Sequence, residues 1–177
     1  LRPIVLLWAF RAAGGGEPTL AQRLAAAIEL LHTASLIHDD INDRSSLRRG
    51  HATVNARWGD TLALLAGDYV FVQVLQMIAA LAPEAMQIVA RASRALVEGE
   101  TLQFLARWRA DIHEDDYFRI GGLKTGALFA ACGELGAWAA GADAETMAAL
   151  SAYGRQLGLA FQIRDDALDL VGEPETM

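Results

Sequence analysis

The chain has 177 residues, of which 53% are hydrophobic and 21% are charged, and this balance excludes an intrinsically disordered protein. The net charge is −7 and the sequence has no run of lysines and arginines, which argues against a nucleic-acid-binding protein. The single cysteine, Cys132, excludes an internal disulfide framework and fits a reducing compartment, so we expect a cytoplasmic protein.

Frequent alanine and leucine together with only four prolines favour helices. Apolar residues recur at helical spacing in six segments, at about residues 4–13, 20–43, 60–81, 84–108, 115–140 and 144–170. Thr19 is the predicted N-cap of the second helix, and the polar residues 44–53 are predicted to form a loop. The sequence has no strand-type alternation of useful length. The chain is therefore predicted to be all-α, an antiparallel bundle of long helices with short connections.

Two apolar stretches approach the length of a membrane span. The stretch 61–83 is interrupted by Asp68 and two glutamines, and the stretch 126–142 contains Glu134 and is barely long enough to cross a bilayer. Both stretches are interpreted as buried helices of a soluble bundle. No transmembrane segment is expected.

Three aspartates end the second predicted helix, in the sequence Asp39-Asp40-Ile41-Asn42-Asp43. Asp39 and Asp43 are four residues apart and lie on one helix face, where the carboxylates repel each other unless a cation neutralises them. Hard carboxylate oxygens suit Mg²⁺ or Mn²⁺. Taken alone, the cluster is equally compatible with a solvated acidic helix end. Arg48-Arg49-Gly50 follows, however, and arginines bind phosphate in a bidentate manner.

The acidic pattern recurs on the last predicted helix as Asp165, Asp166 and Asp169, with Gln162 on the same face. Two such clusters on separate helices are far more specific than one, and we expect their acidic ends to converge. Between the clusters, Lys124 stands on a glycine-rich helix. It is either a solvated side chain or a substrate-facing residue at a kink.

The remaining polar and reactive residues carry weaker signals. Polar lining of a cavity is one interpretation of Glu98, Glu100 and Gln103 on the fourth helix. A structural role is the interpretation of His38, Cys132 and Tyr153.

These motifs resemble those of the trans-isoprenyl diphosphate synthases, also called polyprenyl synthetases. Beside the two aspartate clusters, the resemblance rests on Leu1-Arg2-Pro3, residues 32–38, residues 47–50, Gly67-Asp68-Tyr69, Gly99-Glu100, Lys124-Thr125-Gly126 and residues 161–164. It implies a helical bundle of the isoprenoid synthase type with a central active-site cavity. Residues 1–177 are expected to form a single domain that lacks the family's N-terminal start and C-terminal helices. A homodimer is also implied.

The resemblance also implies roles for individual side chains. Isopentenyl diphosphate would be bound by Arg2, His32 and Arg49. The diphosphate of the allylic substrate would be held by Arg48, Lys124, Thr125 and Gln162. The chief ligands of three Mg²⁺ ions, which Mn²⁺ can replace, would be Asp39, Asp43 and Asp165, supported by Asp40, Asp166 and Asp169. Among these residues, Asp39, Asp43, Asp165, Lys124 and Arg48 are expected to be catalytic.

The implied activity is a Mg²⁺-dependent, head-to-tail condensation of isopentenyl diphosphate with an allylic diphosphate. A class I terpene cyclase is an alternative, but it is not expected to repeat the aspartate motif. A non-catalytic subunit of a heteromeric synthase is another, but it is expected to lose aspartates from one cluster. The hydropathy disfavours a membrane-embedded prenyltransferase.

Small residues precede the first cluster on its helix. Ser35 lies one helical turn below Asp39, and Ala34 adjoins it, so neither forms an aromatic floor at that depth. In the family that the chain resembles, large residues there accompany short products. A product longer than farnesyl is therefore expected, unless Phe71 or Met77 on a neighbouring helix closes the tunnel.

Overall fold

The computed structural model describes residues 1–171, and within that range the chain consists of helices, one small hairpin and the loops that connect them. The helices are α1 (Arg2–Ala12), α2 (Thr19–Asn42), α3 (Val54–Trp58), α4 (Asp60–Ala79), α5 (Pro83–Ala106), α6 (Glu114–Gly121), α7 (Ala127–Ala139) and α8 (Ala144–Val171). The hairpin pairs β1 (Leu47–Arg48) with β2 (His51–Ala52), and a π-helical turn (Gly122–Gly126) joins α6 to α7. The all-α prediction is confirmed.

Helix α7 lies at the centre of the bundle, packed against α1, α5 and α8, while α2 lies between α1 and α4. Its side chains from Ala127 to Cys132 are all buried, because small and apolar residues surround the helix axis on every side. Phe129 and Leu135 are completely buried there. Burial of each such side chain contributes about 1.5–3 kcal/mol, so this helix anchors the others.

Three short elements depart from the predicted segments. The loop predicted at 44–53 contains the hairpin, and α3 precedes α4 as a separate helix of five residues. The predicted fifth helix, 115–140, is divided into α6, the π turn and α7. A π turn adds a residue to one turn of a helix, and such insertions often mark functional sites.

The predicted N-cap of α2 is wrong. Thr19 is the first residue of α2 rather than its cap, and its hydroxyl donates to Glu17 Oε1 at 2.6 Å. Glu17 Oε1 also accepts from the Thr19 backbone N–H at 3.2 Å, so this carboxylate binds both donors of Thr19. Pro18 occupies the cap position without a side-chain hydrogen bond.

The two apolar stretches have different environments. The stretch 126–142 forms α7 and is buried, as predicted, but α4 is not: Leu62, Leu65 and Tyr69 are 54%, 56% and 67% exposed. Within residues 1–171, α4 is the one helix with the length and composition of a membrane span. Its most apolar window has a mean hydropathy of 1.7 and is 22% buried.

Candidate active site

A polar cavity of about 390 Å³ lies between α2, the hairpin, the π turn and α8. It collects most of the candidate site residues from separate parts of the chain. Its charged and polar lining consists of Arg2, His32, Ser35, Asp39, Asp43, Arg48, Arg49, Glu100, Lys124, Thr125, Gln162, Asp165, Asp166 and Asp169. The structure thus brings together five of the six cluster aspartates with the lysine and arginines predicted to lie around them.

Asp40 is the aspartate that does not line this cavity. It is 4% exposed, and its Oδ1 accepts hydrogen bonds from Arg48 at 2.9 Å from Nε and 2.8 Å from the second guanidinium nitrogen. Consecutive helical residues point about 100° apart, so Asp40 faces the hairpin while Asp39 and Asp43 face the cavity. Asp40 therefore holds Arg48 in place, and it is not brought to the other carboxylates.

Asp39, in the first cluster, lies in an environment that disfavours its negative charge. Burial, with further contributions from Glu100 and Asp43, raises the pKa of Asp39 to about 6, although Lys124 and Arg48 oppose this rise. Asp43 forms an ion pair with Arg107, which follows α5 directly. The carboxylate oxygens facing the cavity suit Mg²⁺ chemically. Within residues 1–171, however, no three acidic, histidine or cysteine side chains stand as a formed metal site.

The hairpin sets the positions of the two neighbouring arginines. Leu47 pairs with Ala52 and Arg48 pairs with His51, which leaves Arg49 and Gly50 as a two-residue turn. Their φ angles are 50° and 76°, and such turns require positive φ at both central residues. Glycine adopts this conformation readily but arginine does not, so the backbone at Arg49 is strained. The side chain of this strained residue lines the cavity.

Arg2 and His32 line the polar cavity and carry buried polar nitrogens. Arg2 Nε and His32 Nδ1 are buried and have no hydrogen-bond partner among the described residues. Burial, followed by the charges of Arg2 and Arg49, lowers the pKa of His32 to about 3, and burial also lowers the pKa of Arg2. Buried polar groups without partners are uncommon, and here they face a cavity. An anionic ligand rich in acceptor oxygens would satisfy them.

The π turn carries Lys124 to the cavity. A Cβ on Gly99 would lie 2.6 Å from the backbone nitrogen of Lys124, so only glycine lets α5 approach the turn this closely. The approach places Glu100 beside the lysine, with 2.7 Å between Lys124 Nζ and Glu100 Oε1. Lys124 is therefore held in an ion pair at the cavity wall rather than being solvated.

A chain of hydrogen bonds runs from the π turn to α6. Thr125 Oγ1 donates to Gln162 Oε1 at 2.6 Å, and Gln162 Nε2 donates to Asp166 Oδ1 at 2.8 Å. Tyr117 then donates from its hydroxyl to Asp166 Oδ2 at 2.6 Å. Burial and the bond to Asp166 raise the pKa of Tyr117 to about 12. Because this tyrosine lies 49 positions from Asp166, no local pattern in the sequence pointed to it.

A second, mostly apolar cavity of about 800 Å³ lies between α2, α4 and α5. It is lined by Leu31, Ala34, Ser35, His38, Asp39, Asn42, Phe71, Ser93, Arg94, Leu96, Val97, Glu98, Glu100, Thr101 and Phe104. Ala34, Ser35 and Phe71 lie on its wall, whereas Met77 and Gln103 are not among its lining residues. Cys132 is buried and Tyr153 is exposed, and both lie away from the two cavities.

Comparison with known proteins gives a consistent result. The model of the polyprenyl synthetase family matches residues 1–177. The chain is 40% identical over 182 residues to the short chain isoprenyl diphosphate synthase of Methanothermobacter thermautotrophicus, covering 100% of this chain and 56% of that protein. It is 38% identical over 178 residues to the octaprenyl diphosphate synthase of Escherichia coli, covering 100% of this chain and 55% of that protein.

The likeness extends to solved structures. A polyprenyl synthase from Caulobacter crescentus, in complex with calcium and isoprenyl diphosphate, has a TM-score of 0.94 and 43% identity, with 99% of this chain and 53% of that chain covered. The chain thus spans about half the length of the relatives it matches. Sequence, cavity lining and structural likeness agree: the chain belongs to the polyprenyl synthetase family.

Proposed function

We propose that this chain is part of a prenyltransferase that condenses isopentenyl diphosphate with an allylic diphosphate, head to tail, to give a longer trans-polyprenyl diphosphate. The observation that carries the proposal is the junction of two cavities of opposite character. One is lined by carboxylates and cations, and the other is mostly apolar and about 800 Å³ in volume. A molecule with a diphosphate head and a hydrocarbon tail matches both at once.

The cationic and polar side chains of the polar cavity divide into two groups that suit two diphosphates. Arg2, His32 and Arg49 line the cavity and would bind isopentenyl diphosphate, whose oxygens satisfy the buried Arg2 Nε and His32 Nδ1. Lys124 and Gln162, which also line the cavity, would hold the diphosphate of the allylic substrate. Arg48 and Thr125 support this second group, since Arg48 is anchored by Asp40 and Thr125 donates to Gln162.

The carboxylates facing the polar cavity would hold three Mg²⁺ ions, which Mn²⁺ can replace. Asp39, Asp43 and Asp165 are the proposed chief ligands, and Asp166 and Asp169 support them. Bound Mg²⁺ supplies charge stabilisation for the departing diphosphate. The raised pKa of Asp39 supports this assignment, because burial and then repulsion by Glu100 and Asp43 disfavour its negative charge, and a bound cation would favour that charge. The Caulobacter relative holds calcium, which also prefers oxygen ligands.

The protein's own side chains position the reactants and exclude water. Lys124 and Arg48 draw the electron pair of the breaking C–O bond toward the diphosphate, which leaves an allylic cation. The apolar walls keep water from that cation until the double bond of isopentenyl diphosphate attacks it. A proton is then lost to the departing diphosphate. We further propose a product longer than farnesyl, since Ala34 and Ser35 are small residues on the wall of the apolar cavity.

The alternatives receive less support. A class I terpene cyclase has no use for a second set of diphosphate-binding cations such as Arg2 and Arg49, which line the polar cavity here. A non-catalytic subunit would have no reason to retain carboxylates from both clusters in one cavity, as this chain does. Incubation of the full-length protein with isopentenyl diphosphate, allylic diphosphates of graded length and Mg²⁺ separates these functions. Elongated products are expected, whereas cyclic hydrocarbon without elongation would indicate the cyclase.

Substitutions test the metal assignment. Asp39→Ala and Asp165→Ala are each expected to abolish elongation in the full-length protein while leaving its circular dichroism spectrum unchanged. Asp115→Ala, an exposed aspartate in the first turn of α6, is the control and is expected to remain active. Activity near wild type in either of the first two variants would overturn the assignment.

We also propose that the protein is a cytoplasmic homodimer in which two copies of α4 cover each other. The exposed apolar side chains of α4 include Leu62, Leu65 and Tyr69, and contiguous apolar surface of this kind often marks a protein interface. Asp68 lies in the middle of the same helix with its side chain 59% exposed, and a lipid environment would penalise that charge.

Light scattering is expected to give twice the chain mass. Leu65→Glu should give a monomer, whereas Thr33→Glu, on the exposed face of α2, should not.

A further inference from the structure

The two cavities meet at a neck, defined by the four residues that line both: Ser35, Asp39, Leu96 and Glu100. On the proposed function, the diphosphate lies on one side of the neck and the hydrocarbon on the other. The carbon whose bond to oxygen breaks must therefore lie at the neck itself. Of the two carboxylates there, Asp39 belongs to the proposed metal site, and Glu100 has no role in it.

We propose that Glu100 is a catalytic residue whose carboxylate faces the reacting carbon and stabilises the allylic cation electrostatically. The inference rests on the proposed function and deepens it. Its first support is the orientation of the ion pair between Glu100 and Lys124, which are 2.7 Å apart. Lys124 lines only the polar cavity, whereas Glu100 lines both. The positive end of the pair thus lies on the polar side of the neck, and its negative end lies at the neck itself.

A second support is that the carboxylate of Glu100 is held in place at the neck. Its Oε1 is buried and, in the described part of the chain, accepts no hydrogen bond of ordinary geometry despite the nearby lysine. Gly99 fixes the position of the carboxylate by its close approach to the Lys124 backbone. Preorganised charge in a water-excluded site acts strongly on a developing ion.

The proposed role involves no bond and no proton transfer at Glu100. The C–O bond of the allylic diphosphate breaks, and its electron pair leaves with the diphosphate. The positive charge spreads over the allylic carbons, the double bond of isopentenyl diphosphate forms the new C–C bond, and the departing diphosphate takes the proton that is lost. Glu100 lowers the energy of the cation, and Lys124 lowers that of the anion.

The first test is the Glu100→Gln variant of the full-length protein, which keeps the shape of the side chain and removes its charge. Removal of one preorganised electrostatic group typically costs 10²–10³-fold in kcat, so a loss of about 100-fold is expected, with KM for both substrates changed less than about threefold. Glu134→Gln is the matched control. Glu134 also has a side chain that is 23% exposed and forms a 2.7 Å ion pair, with Arg91, but it lines neither cavity.

The second test measures binding rather than turnover. An analogue of the allylic substrate with an ammonium group in place of the reacting carbon is titrated calorimetrically together with inorganic diphosphate and Mg²⁺. Its uncharged carbon analogue is titrated in parallel. Glu100→Gln is expected to weaken binding of the ammonium analogue at least tenfold and binding of the carbon analogue less than twofold, since only the former carries the charge. A purely structural role would weaken both equally.

The outcomes separate this inference from the proposed function. Elongation by the wild type, together with a Glu100→Gln variant that keeps its kcat and binds both analogues normally, would overturn the role of Glu100 alone. A raised KM for the allylic substrate with unchanged kcat would also overturn it, because Glu100 would then act only by positioning Lys124. Absence of elongation in the wild type would reject the proposed function and this inference together.

Discussion

The Thr125 hydroxyl and the Gln162 side-chain amide join the π turn to α8 by a 2.6 Å hydrogen bond in a part-buried position. Gln162 in turn donates to Asp166, one turn further along α8. A side chain of the second aspartate cluster is thus oriented from the segment that carries Lys124. The two halves of the polar cavity are coupled through this bond.

Thr125→Val should therefore destabilise the protein. Thr125 is 5% exposed, so the substitution leaves Gln162 Oε1 without its donor in a site that water reaches poorly. An unsatisfied group of this kind costs about 1–3 kcal/mol in the free energy of unfolding, measured by urea titration. In Thr33→Val, the lost bond is to the carbonyl of Glu29 in the same exposed helix turn, and a change within about 0.5 kcal/mol is expected. Equal effects of the two substitutions would contradict a coupling role for Thr125.

Gly99→Ala tests the close approach of α5 to the π turn. The added methyl group meets backbone atoms of Lys124, which cannot rotate away, so the helices must separate. Overpacking of this kind typically costs about 1–3 kcal/mol, and elongation should fall as Glu100 and Lys124 move apart. Gly16→Ala, where nothing lies within 4 Å of the added carbon, is the control for both thermal unfolding and turnover. Unaltered stability in Gly99→Ala would show that the helices are not in close contact.

The raised pKa of Asp39 predicts a particular dependence of stability on pH. The folded-state pKa of about 6 exceeds the value of 3.8 expected for an unfolded chain, so folding favours the protonated form. The resulting stabilisation is fully present below about pH 4 and is lost as the pH rises through 6. The free energy of unfolding should fall by about 1–3 kcal/mol over this range.

Urea titrations with a chelator at pH 4.5 and 7.0 measure this contribution of Asp39 to the free energy of unfolding. The loss of stability on going to pH 7.0 should be larger for the wild type than for Asp39→Asn, and Mg²⁺ should restore stability at pH 7.0. Asp115→Asn, which removes an exposed aspartate, should behave as the wild type does. Identical pH dependence in the wild type and Asp39→Asn would argue against a raised pKa.

Product length should respond to the walls of the apolar cavity. Ala34→Phe fills space one turn before the aspartates and is expected to shorten the products, and Phe71→Ala opens the opposite wall and is expected to lengthen them. Reversed-phase chromatography of the dephosphorylated products measures both changes. Val72→Ala alters an exposed neighbour that does not line the cavity and should leave the distribution unchanged. Unchanged products in both cavity variants would show that the chain grows elsewhere.

The long helices were predictable, because helical periodicity is a strong local signal. The convergence of the aspartate clusters was predictable for a different reason, because the same motif recurs on two of these helices. The bounds of α2 and α8 differ from the predicted ones by about one residue. The π turn was not predictable in this form. The glycines around Lys124 indicated a kink, but an extra residue in one turn is stabilised by packing against α5 and α8 rather than by local propensity.

Side-chain partners from distant segments account for most of what the sequence did not reveal. Tyr117 reaches Asp166 and Arg107 reaches Asp43 across separations of 49 and 64 residues, and neither is part of a repeating pattern. Asp40 is a different case. The 100° rotation per residue already separates it from Asp39, but only the position of the hairpin shows that Arg48 is its partner.

The hairpin also bears on how this site tolerates insertions and deletions. Arg48 ends a strand and binds Asp40, whereas Arg49 occupies the turn and faces the polar cavity. Removal of one residue from this turn would shift the register and exchange the directions of the two guanidinium groups, although both arginines would remain. The spacing of the hairpin, more than its arginine content, is therefore the feature to hold fixed when the loop is grafted or redesigned.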